Sequence, residues 1–131
     1  MPRSEETSDG PDGDAEALAR KFQKELNAGL VALVLLGILD RAVEDLYGYQ
    51  IAKRLQQRGG LVKQGALYPV LRTLSASGLL ASRVVPSYAG PPRRYYRITP
   101  AGRAALADWR RLWRETRDLV DELTDTGGTP P

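Results

Sequence analysis

The chain has 131 residues, 42% of them hydrophobic, and a formal net charge of +3, which leaves room for one domain with a modest core and short tails. It contains no Cys and no His, so disulfides, thiolate or imidazole metal ligands, Cys- or His-based nucleophile arrangements and the usual neutral-pH proton shuttle are all absent, and neither catalytic residues, a metal nor a cofactor is expected. No basic stretch followed by an apolar one opens the chain, and the longest uncharged apolar run, residues 28–39, is short for a bilayer; a cytoplasmic protein with no membrane partner is the expectation.

The charge is unevenly placed. Glu5, Glu6, Asp9, Asp12, Asp14 and Glu16 crowd the start with only Arg3 against them, whereas residues 46–107 hold no Asp or Glu and carry all of Lys53, Arg54, Arg58, Lys63, Arg72, Arg83, Arg93, Arg94, Arg97 and Arg103. A one-sign surface of that extent points to a polyanionic partner, of which double-stranded nucleic acid is the commonest; a merely solvated basic face is the plainer alternative.

In chain order, residues 1–14 are rich in Pro, Gly, Ser and acid and read as a disordered tail, as do residues 124–131. Over residues 15–39, Leu18, Phe22, Leu26, Leu30, Leu33 and Val34 recur at helical spacing, and Val31, Leu35 and Ile38 add a second apolar side, so the end of this first helix must be covered on two faces, one of them by a partner subunit. A second helix is expected over 47–57, closed by Gly59 and Gly60, and a third opens at Gln64-Gly65, turns Ala66, Leu67, Val70, Leu71 and Leu74 inward and stops at Gly78, with Pro69 near its first turn. Two short helices joined by a glycine-containing link are the pattern of a helix-turn-helix.

Residues 80–85 and 94–98 are β-branched and aromatic and flank Pro86, Gly90, Pro91 and Pro92, which predicts a hairpin with a long, stiffened tip, the shape of a wing. Thr99-Pro100 supplies an N-cap and a first-turn proline for a last helix, in which Leu106, Trp109, Leu112, Trp113, Thr116, Leu119, Val120 and Leu123 form one stripe. A helix appended after the wing has little local surface to cover, so the stripe is expected to pack on a second copy of the chain. The fold class is therefore mainly α with a small β-hairpin: a winged helix-turn-helix over residues 15–98, including the N-terminal helix, and a dimerisation helix over 99–123.

The blocks Tyr47-Gly48-Tyr49-Gln50-Ile51, Gly65-Ala66-Leu67-Tyr68-Pro69, Gly78-Leu79 and Arg93 to Thr99 followed by Gly102 stand in an order that resembles the PadR family of bacterial transcription regulators over about residues 30–123. The single long helix after the wing is similar to the short subfamily, in which the first and last helices form the dimer. The resemblance implies a C2 homodimer that binds an inverted-repeat operator, acts as a repressor and is released by a flat hydrophobic effector. Two positions depart from the family's usual pattern: Asp45-Leu46-Tyr47 stands where Pro or His often precedes Gly-Tyr, and Ala66 where Thr is common, so a hydroxyl contact to DNA is missing there or replaced by Lys63 or Gln64.

The DNA-binding residues expected are Tyr49, Lys63, Gln64, Gly65, Ala66, Tyr68, Arg72, Arg93 and Arg94. Lys63 to Ala66 and Tyr68 occupy the end of the recognition helix that meets base edges, where Gln64 reads adenine and Lys63 guanine or phosphate, or where Gln64 caps the helix and Lys63 is solvated. The resemblance aims the Tyr49 and Tyr68 hydroxyls at phosphates; packing between the two helices is the other reading. Arg72 lies one turn further on and meets phosphate, and strand alternation sends Arg93 and Arg94 to opposite sides of the wing. Trp109, Trp113, Leu106 and Leu112 are either dimer core or, as the resemblance implies most for Trp113, the lining of the effector groove. A winged-helix module that binds a protein partner through the last helix is the rival to DNA binding.

Overall fold

The computed structural model describes residues 11–127; the expected tails over 1–10 and 128–131 lie outside the described residues. The elements are α1 (Pro11–Arg41), β1 (Leu46–Tyr47), α2 (Gly48–Gln56), α3 (Gln64–Ala76), β2 (Leu80–Ser87), β3 (Gly90–Ile98) and α4 (Pro100–Thr124). The helix-turn-helix of α2 and α3, the β2–β3 hairpin and the flanking helices follow the sequence pattern, with three corrections. First, α1 begins at Pro11 rather than at residue 15, because carboxylates such as Asp14 and Glu16 favour the positive end of a helix. Second, β1 was not foreseen: it pairs antiparallel with β3 through Leu46↔Tyr96 and Tyr47↔Tyr95, giving a three-stranded sheet of order β1-β3-β2.

The third concerns the wing, whose tip is short. β2 and β3 stay paired from Leu80↔Ile98 to Val85↔Arg93 and again at Ser87↔Gly90, with an irregularity around Pro86, so the turn is only Tyr88-Ala89. Pro86 stands opposite Pro91 and Pro92, where the ladder is interrupted and no N–H is required of any of them.

One core joins all of this. Val31, Leu35, Leu36 and Leu39 of α1 are buried with Ile51, Ala52 and Leu55 of α2, Leu67, Leu71 and Leu74 of α3, and Leu46, Leu80, Tyr96 and Ile98 of the sheet. The second apolar side of α1, Val31, Leu35 and Ile38, is covered within the same chain by this core, while Leu30 and Leu33 of the first stripe face Trp109, Leu112 and Trp113 of α4 across a groove. By length and composition α1 as a whole, over Gly13–Arg41, is long and apolar enough to cross a membrane; its most apolar turns are the ones that build this core.

A single hydroxyl ties the last helix to the rest. Thr99 Oγ1 accepts from the Gly102 N–H at 3.0 Å, capping α4, and donates to the Gly78 carbonyl at 2.7 Å, while the Thr99 N–H donates to the Leu79 carbonyl at 3.1 Å. Gly102 lies so close to the Leu79 carbonyl that any Cβ there would collide with it. The start of α4 is thereby seated on the α3–β2 link.

Candidate nucleic-acid interface

At the start of α2 the Tyr47 N–H donates to Gln50 Oε1 at 3.0 Å, one half of a capping box, and this orients two exposed-side rings. Tyr47 and Tyr49 stack with centroids 6.4 Å apart, and Tyr47 meets Tyr95 edge-on at 5.3 Å. Cations close both ends of the row: the Lys53 ammonium lies 5.8 Å from the Tyr49 centroid, the Arg93 guanidinium 4.5 Å from Tyr47 and the Arg83 guanidinium 5.2 Å from Tyr95. Arg83 also donates to Asp45 at 3.1 Å, so the ladder runs from α2 across β1 into the wing. Arg93 is therefore held by an aromatic face instead of waving from a loop.

Beside the ladder, Tyr49, Tyr68, Arg72, Pro92, Arg93, Arg94 and Tyr96 line a cleft of about 370 Å³ between α2, α3 and β3. Gly48 makes it possible, because a Cβ at that position would stand 2.5 Å from the Tyr68 ring. Tyr49 is 51% exposed, which removes the reading that packs it between the helices, whereas Tyr68 is half-buried against Gly48. The Gln64 amide donates to the Tyr68 hydroxyl at 3.4 Å, and Lys63, extended at φ −69 and ψ 155, occupies the N-cap position of α3 without a side-chain cap bond. Gln64 is thus a first-turn residue and not the cap; Gly65 is exposed, and so is Ala66, expected to turn inward, because it lies in the first turn ahead of the buried Leu67. Pro69 lies inside α3, further in than expected, and leaves the Gly65 carbonyl without its usual helical donor.

The acid-free middle of the chain borrows two carboxylates from outside it: Asp45 pairs with Arg83, and Asp40 with Arg103 at 3.4 Å. Lys63, Arg72, Arg93 and Arg94 take part in no ion pair among the described residues. Burial pushes the Tyr96 hydroxyl pKa up, against the pull of Arg94 and Arg72. The structure thus brings Tyr49, Tyr68, Arg72, Arg93 and Arg94 to one cleft, sets Lys63 to Ala66 at its side on the open end of α3, and adds Tyr47, Gly48, Lys53 and Tyr96. Alternation puts Tyr95 and Arg83, with Tyr47, on the outer face and turns Tyr96 to the core, yet Arg93 and Arg94, expected on opposite sides of the wing, both line the cleft, since two long side chains on adjacent residues reach it from either face.

The second group of expected residues divides. Leu106 and Trp109 pack against the chain's own core, while Leu112 and Trp113 are 53% and 38% exposed. Trp109, Leu112 and Trp113 line a groove of about 540 Å³ with Leu26, Leu30 and Leu33 of α1; Leu106 does not reach it. Along the exposed side of α4, Arg111 meets Asp108 at 3.5 Å and Arg117 meets Asp118 at 3.0 Å.

The helix-turn-helix, its paired wing and the carboxylate-free cleft between them define a winged-helix regulator. The family model described as "Transcriptional regulator PadR-like family" matches residues 35–108, and the chain belongs to that family. It is 41% identical over 113 residues to the transcriptional regulator Rv3488 of Mycobacterium tuberculosis, spanning 83% of this chain and 96% of that one. Among solved structures it is similar to a PadR family transcriptional regulator from Eggerthella lenta DSM 2243, with a TM-score of 0.77 and 31% identity over 86% of this chain and 97% of the other. The Bacillus subtilis PadR in complex with operator DNA shares the fold at a TM-score of 0.55 and 24% identity, over 61% of this chain and 46% of that one.

Proposed function

We propose that this regulator binds double-stranded DNA as a two-fold symmetric homodimer, reading an inverted-repeat operator with the start of α3 in the major groove and the wing against the adjacent backbone, and that it represses by occupying that site. The observation that carries the reading is the convergence of Arg72, Arg93 and Arg94 with the Tyr49 and Tyr68 side chains on one cleft that no carboxylate lines. The family of transcriptional regulators, one member of which has been crystallised on operator DNA, supports it.

The dimer is argued from the opposite kind of surface. Leu18, Phe22 and Leu26 on α1 and Leu112, Trp113, Leu119, Val120 and Leu123 on α4 are exposed apolar side chains in two stripes, more than a free monomer ordinarily leaves in water. A second copy would cover them and set two recognition helices about one helical turn of DNA apart, roughly 34 Å. In the groove lined by Trp109 and Trp113, a flat hydrophobic effector would change the angle between α1 and α4 of the two protomers and so the spacing of the recognition helices.

The test is a fluorescence-anisotropy titration of DNA from upstream of the protein's own gene, against scrambled DNA, at several salt concentrations. Preferential binding whose logarithm falls with log salt at about one unit per phosphate contact is the expected result. Equal and weak binding to both DNAs would instead favour a module that docks a protein through the α4 stripe.

A further inference from the structure

A second pocket lies behind the cleft, between the later turns of α3 and the base of the wing. It has a volume of about 390 Å³ and is lined by Arg72, Ser75, Ala76, Ser82, Arg94 and Tyr96. Every polar side chain in that lining is a hydrogen-bond donor, and none is a carboxylate or an amide. Arg94 Nη1 donates to Ser82 Oγ at 3.1 Å, which leaves the Ser82 proton free to donate inward. Ser75 Oγ is buried without a hydrogen-bond partner. Tyr96 is only 4% exposed.

The fold fixes these groups relative to one another. Arg72 and Ser75 are three apart on one helix face, Ser82 and Tyr96 are directly opposite across the β2–β3 ladder, and Arg94 is two residues along β3 on the same side as Tyr96. The Tyr96 phenol is a donor at neutral pH, as any phenol with the ordinary pKa of 10.0 is, and burial pushes its pKa further up. Ser75 Oγ is the one buried polar side-chain atom left without a partner among the described residues, Arg72, Ser82 and Arg94 are exposed, and a lining made only of donors around two guanidinium groups that form no ion pair describes the complement of an oxyanion.

We propose that this pocket is a phosphate site, in which one tetrahedral phosphate group is clamped between Arg72 and Arg94 and seated on the Ser75, Ser82 and Tyr96 hydroxyls, tying the recognition helix to the wing. The group has two sources of identical chemistry, a backbone phosphodiester of bound DNA or a free phosphate; the first rests on the DNA-binding reading above and the second does not.

The experiment uses the full chain labelled with 15N at the arginine Nε. Inorganic phosphate is titrated against chloride at matched ionic strength, and the operator duplex is then added. Saturable shifts of the Arg72 and Arg94 signals with phosphate and not with chloride are expected, weakened about tenfold in Ser75→Ala and in Tyr96→Phe, as loss of one hydrogen bond to a charged group predicts. Release of phosphate on adding DNA identifies the backbone as the natural occupant; retention of phosphate beside bound DNA identifies a free phosphate. Shifts that chloride reproduces, or that both variants leave unchanged, would overturn the site while salt-dependent DNA binding could still stand. If DNA fails to bind but the phosphate response is intact, it is the DNA-binding reading that falls and the site that survives.

Discussion

The two ends of this molecule are unfinished in opposite ways. Around α2, α3 and the wing the chain leaves Arg72, Arg93 and Arg94 in no ion pair among the described residues, with Arg93 lying over the Tyr47 ring. Along the first half of α1 and the second half of α4 it leaves Leu, Phe and Val side chains in water with no polar function among them. The first surface asks for a charged partner of fixed geometry, and the second for any apolar surface of matching shape, which a second copy would supply. One chain can therefore be read as a module with two different vacancies, and changes to each should fail differently.

The largest effect is expected where the two ends depend on each other. Leu119→Glu places a charge in the exposed stripe of α4 and should leave the fold intact but the protein monomeric in sedimentation equilibrium, with operator affinity reduced ~100-fold through loss of the second half-site. A monomeric variant that still binds the operator as tightly as the parent would separate the stripe from DNA binding altogether. Gly48→Ala drives a methyl into the Tyr68 ring and should lower stability by about 1–3 kcal/mol in thermal unfolding, an effect confined to the DNA-binding end.

A smaller loss, about 1 kcal/mol, is expected for Thr99→Ala, which removes the α4 cap, whereas Thr99→Ser should keep most of it. The smallest prediction is the most specific. Tyr47→Leu takes away the ring under Arg93 and should weaken DNA binding only about two- to fivefold, corresponding to roughly 0.5–1 kcal/mol, with the salt slope unchanged. Arg93→Gln should by contrast lower the slope by about one. Identical slopes for the two variants would mean that Arg93 touches no phosphate.

Much of this was legible in the sequence because it depends on local chemistry. The Thr99-Pro100 start of α4, the Gly78 end of α3 and the apolar spacing of α1 each carry their cause within a few residues. The wing was misjudged because prolines read as loop; three prolines meeting at one irregular step, Pro86 against Pro91 and Pro92, let both strands continue past them. β1 has two residues, too few for alternation to show, and its partner lies some fifty residues later, so the row Lys53–Tyr49–Tyr47–Arg93 could not be assembled from spacing. Arg72, Arg93 and Arg94 could be named as candidates from charge and position, and the structure lines one cleft with them, whereas Gly48, Ser75 and Tyr96 stand out only through what surrounds them, which packing reveals.

The seat of α4 has a mechanical consequence. A helix of its 25 residues is a rod of about 37 Å, and it is pinned at one end, where Thr99 grips the carbonyl at the close of α3 and Gly102 admits no slack. A wedge that pushes the free end sideways by about 3 Å turns such a rod through roughly 5°. The pivot sits at the foot of the recognition helix, so a coarse push far from the DNA arrives there as a fine rotation, and the length of the arm sets the gear ratio.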